Sequence, residues 1–214
     1  MIKWIKSYLA FMSLPARLLI FAGMPAAVTV TLLCLPSLDF PADMCVAAIL
    51  LMTMECFLDY WVFGGIAAKG GSRMAYLMSA PGKMGILRKA LTVSMLRQIL
   101  ESGVILGLWG AVSAVRKGDR TFDEGQFWVF AGILLLEYLF IILSLTAARL
   151  FDGLWIHLTI SCIGAAAMAM ALGPVLRRSA VSFWLLLLLA PAVSLVSVSA
   201  AMKRVKENYY DRQD

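Results

Sequence analysis

Six runs of this chain stay apolar over the length that a membrane demands. They extend approximately from Leu18 to Leu35, Met44 to Ile66, Ala90 to Val115, Phe127 to Ala148, Leu154 to Gly173 and Val181 to Met202. Crossing roughly 30 Å of hydrocarbon takes about 20 predominantly apolar residues in a helix. Only helices and closed barrels satisfy every backbone N–H and C=O at that depth. The runs are continuous and rich in Leu, Ala, Met and Ile, without the alternation of a membrane β-barrel strand. Composition agrees: 62% of the 214 residues are hydrophobic and 15% charged, whereas water-soluble domains hold about 45–50% and about 25%. The expected fold is an all-α integral membrane protein, one transmembrane domain over residues 1–214 with six spanning helices.

The N-terminal segment has a different pattern. On a helical wheel, Ile2, Trp4, Ile5, Tyr8, Leu9, Phe11 and Met12 fill one half, and Lys3, Lys6, Ser7, Ala10 and Ser13 the other. Such a two-faced helix lies in the interface plane with its aromatics at headgroup depth. Residues 1–14 are expected to form it, with Pro15 ending it before the first span. The opening apolar run is too short, and lacks a small-residue cleavage site, for a removable signal peptide.

Lys and Arg accumulate in cytoplasmic loops. Threaded with the N-terminus inside, the inner segments hold Lys3, Lys6, Arg17, Lys69, Arg73, Lys83, Arg88, Lys89, Arg149 and the tail residues Lys203, Arg204, Lys206 and Arg212. The outer loops hold Arg116, Lys117, Arg120, Arg177 and Arg178. Both termini are therefore expected in the cytoplasm, with residues 203–214 as a cytoplasmic tail. The pair Arg177 and Arg178 runs against this trend. The net charge of +6 follows from these anchors and implies contact with anionic membrane lipid, with no reason to invoke nucleic acid.

Ionisable side chains at membrane depth cost about 2.5–3.5 kcal/mol each on insertion scales, so each calls for a partner, a wet cavity or a function. The second run carries Glu55 and Asp59, the third Arg97 and Glu101, the fourth Glu137, and the fifth His157 near its end. Residues four apart share a helix face. Counted from the shared inner end at 1.5 Å per residue, Asp59 and Arg97 both fall roughly 10 Å deep. They are expected to pair, with Glu55 and Glu101 one turn deeper. The pair reads either as a lock between helices or as the lining of a substrate path or proton relay. Glu137, within LLLEYLF, has no partner visible in the sequence, and His157 is expected to be solvated near the interface.

Small residues recur every fourth position at Gly103, Gly107 and Ala111, and at Ser161, Ala165, Ala169 and Gly173, a pattern that lets helix backbones approach closely. Pro191 is expected to kink the last span. Cys34, Cys45, Cys56 and Cys162 have no paired spacing and read as small apolar residues. A single histidine excludes a multi-histidine metal site. No phosphate-binding loop, serine-hydrolase elbow or HExxH signature occurs. AARLFDG superficially resembles the acidic motif of membrane phosphatidyltransferases but lacks its repeated aspartates. The chain is expected to need no cofactor and to perform no covalent chemistry alone.

Between the second and third runs lies GGSRMAYLMSAPGKMGILRKAL, residues 70–91, basic and broken by Pro-Gly. An interfacial N-terminal helix, six spans and this basic loop together resemble the type 2 class of ABC transporter permeases, exporters of drugs, peptides and polysaccharides, over nearly the whole chain. Within the loop, YLMSAPGKMGILRKAL is similar to the family's run of hydrophobic residues, Ser, a small residue, Pro and a basic patch entering the third span. The resemblance implies a coupling helix that docks on a separate ATPase subunit, two ATPases working with two permease subunits in a bacterial cytoplasmic membrane. Tyr76, Leu77, Met78, Ser79, Ala80, Pro81 and Lys83 would form the docking surface. The family often carries re-entrant helices between its last two spans, where this chain has only PVLRRSA. The readings kept beside it are a proton- or cation-coupled secondary transporter using the buried carboxylates, and a membrane scaffold without transport.

Overall fold

Each apolar run folds as a helix long enough to cross a bilayer. A computed structural model describes residues 2–34, 40–63, 77, 79, 82–116, 124–150, 153–177 and 179–210, and among them the regular structure is entirely helical. A short helix, α1 (Ile2–Leu9), precedes a first span built from α2 (Leu14–Leu18), a π turn (Leu19–Gly23) and α3 (Met24–Cys34). The other spans are α4 (Phe40–Phe63), α5 (Lys83–Arg116), α6 (Glu124–Leu150), α7 (Leu154–Arg177) and α8 (Ser179–Tyr210). The stretches of membrane-spanning length and hydropathy are Leu14–Cys34, Pro41–Phe63, Met84–Val112, Glu124–Leu150, Leu154–Gly173 and Phe183–Glu207. Among the described residues, six helices are therefore long and apolar enough to cross a membrane, as in a multi-pass membrane protein.

Pro15 acts differently from the expectation. It sits in the first turn of α2, where its missing N–H costs nothing, and Ser13 caps that turn through its hydroxyl. The preceding helix ends instead near Leu9, whose carbonyl accepts a bond from Arg17 Nη2 at 2.9 Å. Within the first span, the Met24 N–H reaches back to the Leu19 carbonyl, the i→i+5 bond of a π turn.

The fourth span, α6, is the hub and packs against α4, α5, α7 and α8. Its apolar window is 67% buried, against 22% for the first and sixth spans, which turn most of their surface outward as lipid-facing helices do. Polar side chains stitch the hub to its neighbours. The Tyr138 and Ser194 hydroxyls lie 2.8 Å apart, and Thr146 donates to Ser197 at 2.6 Å, both between α6 and α8. Bonds of this kind contribute on the order of 0.6 kcal/mol each in a membrane bundle.

The small-residue stripes resolve unequally. Gly103 faces α6, where an added Cβ would meet Leu134 at 3.7 Å. On α7 the close approach belongs to Gly164, whose added Cβ would overlap the Ser144 hydroxyl and the Met52 methyl. Ser161, Gly164, Met168 and Leu172 are buried there, whereas Ala169 and Gly173 of the expected stripe are exposed. Every fourth residue drifts around a helix of 3.6 residues per turn; the buried α7 positions advance by three and then four. α8 runs as one continuous helix through Pro191.

Candidate functional site

Two ion clusters lie inside the bundle, one turn apart along α4. In the first, Arg97 of α5 grips Glu55 of α4 with a bidentate fork, Nη1 to Oε1 at 2.7 Å and Nη2 to Oε2 at 2.5 Å. Nη1 also donates to Glu101, one turn along the same helix. Nε donates to the Tyr8 hydroxyl of α1 at 3.0 Å, and Gln98 Nε2 adds a longer contact of 3.3 Å to Glu55. Burial pushes the Tyr8 hydroxyl above its ordinary value against the opposing pull of Arg97, so it stays neutral and accepts from the guanidinium.

In the second cluster, Arg149 from the end of α6 holds Asp59 of α4. Nε lies 2.9 Å from Oδ2, and Nη2 lies 2.5 Å from Oδ1. The expected pairing of Asp59 with Arg97 is therefore wrong by one turn of α4. α5 begins at Lys83, seven residues before the apolar run that starts at Ala90, so the edge of that run does not mark where the helix starts. Four residues of register, roughly 6 Å at the helical rise, bring Arg97 opposite Glu55 and leave Asp59 for another helix. Glu55 is thus the main acceptor for Arg97, and Glu101 shares the same guanidinium.

Phe63 joins the two clusters. The Arg149 guanidinium lies 4.8 Å from the centre of its ring, a cation–π distance. Its other neighbours are Tyr8 at 6.2 Å and Phe11 at 5.8 Å between ring centres. Buried ionised groups persist only when paired and hydrogen-bonded, and these pairs tie α1, α4, α5 and α6 into one unit.

Glu137 lies at the centre of the hub with 0% exposure. The structure supplies the partner absent from the sequence reading: Ser102 of α5 donates to its Oε1 at 2.9 Å. Glu137 Oε2 and Gln98 Oε1 have no partner among the described residues. Ser94, Gln98 and Ser102 form a buried polar stripe along α5, a period-four signal that could have been read beside Arg97 and Glu101. His157 is corrected as well. It is 3% exposed, packs edge-on against Tyr60 at 5.1 Å, and its Nδ1 lies 3.1 Å from the Gly153 carbonyl. Gly153, at φ 130°, turns the chain so that the first turn of α7 folds this ring inward.

Arg97 and Glu101 also stand in the wall of a cavity of about 1100 Å³ between α1, the first span and α5. One wall is the α5 stripe Leu96, Leu100, Val104, Leu108 and Val112, each well exposed, and the lining is otherwise mostly apolar.

Among the expected coupling residues, Leu77 and Ser79 are helical; Leu77 is buried in the core and Ser79 is exposed. Gly82 follows at φ 97°, a left-handed turn that favours glycine, and Lys83 opens α5. Tyr76, Met78, Ala80 and Pro81 lie outside the described residues. Among those described, no three His, Cys, Asp or Glu side chains group as a metal site, and the four cysteines are free. No protein-family model, curated protein or solved structure matches this chain.

Proposed function

We propose that this chain is the transmembrane subunit of an ATP-driven exporter. In this reading both termini and residues 70–91 face the cytoplasm of a bacterial cell. A separate ABC ATPase, two per complex, grips that loop, and a second permease subunit, the same chain or a homologous one, completes the path. The observation that carries the reading is the clamping of the helices on either side of the loop. Phe63, the last described residue before it, lies against the Arg149 guanidinium and beside the ring of Tyr8, whose hydroxyl accepts from Arg97. The helix that follows the loop carries Arg97. A push on the loop would therefore reach α4, α5 and α6 through paired charges that hold them together.

Leu77 would root the coupling segment in the core while Ser79 faces outward. Replacing Ser79 with Cys and treating cells with a bifunctional thiol–amine reagent is expected to join the chain to an ATP-binding subunit, identified by mass spectrometry. Met78→Glu with Pro81→Glu should abolish that product. Cross-linking that survives both changes, or captures no ATPase, would overturn the docking assignment.

One observation favours a second reading, a proton- or cation-coupled carrier. Glu137 is a fully buried carboxyl at the end of the polar stripe on α5, and one of its oxygens has no partner among the described residues. Transport driven by a proton gradient without nucleotide, and lost in Glu137→Gln, would select it.

A further inference from the structure

The cavity beside α5 has an unusual electrical balance. Arg97 commits its fork to Glu55, which lies behind it in the bundle, and spends Nε on Tyr8. Glu101 receives only a share of Nη1. Glu101 Oε1 has no partner among the described residues, and Arg97 and Glu55 both act on its charge. One guanidinium faces two carboxyl groups, and of the two it is Glu101 that lines the cavity; a cation seated there would pair with its ionised carboxylate. In a low-dielectric setting such a charge exerts a strong attraction.

The remaining wall suits an apolar body. The stripe from Leu96 to Val112 runs over seventeen residues of α5, roughly 24 Å at the helical rise. Trp4, Tyr8, Phe21 and Trp109 add aromatic rings to the lining, and ring faces attract cations. We propose that this cavity binds a lipophilic organic monocation, with its charge near Glu101 and its apolar part along the α5 stripe. An anion of equal size would meet the Glu101 carboxylate, and a neutral lipid chain would leave the charge unanswered. The assignment holds whether or not the chain is driven by an ATPase, so its failure and the failure of that reading are distinguishable.

The test uses the full chain in nanodiscs of neutral lipid and two probes of similar shape and opposite charge, tetraphenylphosphonium and tetraphenylborate. Binding is measured by equilibrium dialysis against empty nanodiscs. Saturable binding of the phosphonium, with no displacement by the borate, is expected. Glu101→Gln keeps the Arg97–Glu55 fork and should weaken the phosphonium on the order of tenfold or more, as loss of a poorly solvated charge partner does. Val104→Trp, which fills the trough away from the ions, should weaken it as well and keeps the proposal testable if the first variant folds poorly. Equal affinity for both probes would mean a lipid-filled groove without charge selection. That result, or unchanged phosphonium binding in Val104→Trp or in folded Glu101→Gln, would overturn the proposal.

Discussion

Arg97→Met is expected to destabilise the folded protein by about 3–5 kcal/mol, the scale for breaking a buried ion pair from one side. The change strands two carboxylates, Glu55 and Glu101, and removes the donor to Tyr8 that holds α1 against α5. Glu101→Gln should be far milder, because the bidentate grip on Glu55 survives it. Arg97→Lys should fall between, since an ammonium cannot reproduce the fork. Adding Glu55→Gln to Arg97→Met should recover a large part of the loss, because it removes one of the stranded charges. Thermal unfolding in mild detergent, with the folded fraction followed by size-exclusion chromatography, orders these variants. An Arg97→Met protein as stable as the parent would show that the pair does not form.

The second large effect is expected at Arg149. Its partner Asp59 is buried, and its guanidinium also lies over Phe63. Arg149→Met should therefore cost a similar amount, about 3–5 kcal/mol, and Arg149→Lys should restore only part of it. The double variant Arg149→Met with Asp59→Leu should be closer to the parent than Arg149→Met alone, because well-packed apolar groups can replace a buried pair at little cost. If the pair also transmits motion from the loop, the double variant should fold yet export poorly. Restored stability together with undiminished transport would confine the pair to a structural role.

The spans were legible because hydropathy over about 20 residues is a local property that the bilayer enforces. Glu55, Asp59, Arg97, Glu101 and Glu137 were legible as a group for the same reason: charge at that depth is costly. Their pairing was not. It depends on helix register and rotation, and a shift of one turn moved Arg97 from Asp59 to Glu55. Arg149 was read as an anchor at a span end, since nothing local distinguishes a charge that turns outward from one that turns in. Tyr8 was assigned to the membrane interface, although its hydroxyl reaches Arg97. The small residues of α7 were visible too, but which of them touches a neighbour depends on how the helix is rotated; Gly164 does and Gly173 does not.

Purification of the chain from its own membranes, followed by native mass spectrometry under conditions that preserve assemblies, tests the proposed function most directly. Expected is a complex of two copies of this chain, or one copy with a homologous permease, together with two ATP-binding subunits. In the Met78→Glu with Pro81→Glu variant, the permease pair should appear without them. A chain that leaves the membrane intact with no ATP-binding subunit attached, across lipids and detergents that keep known ATP-driven exporters whole, would contradict the proposal.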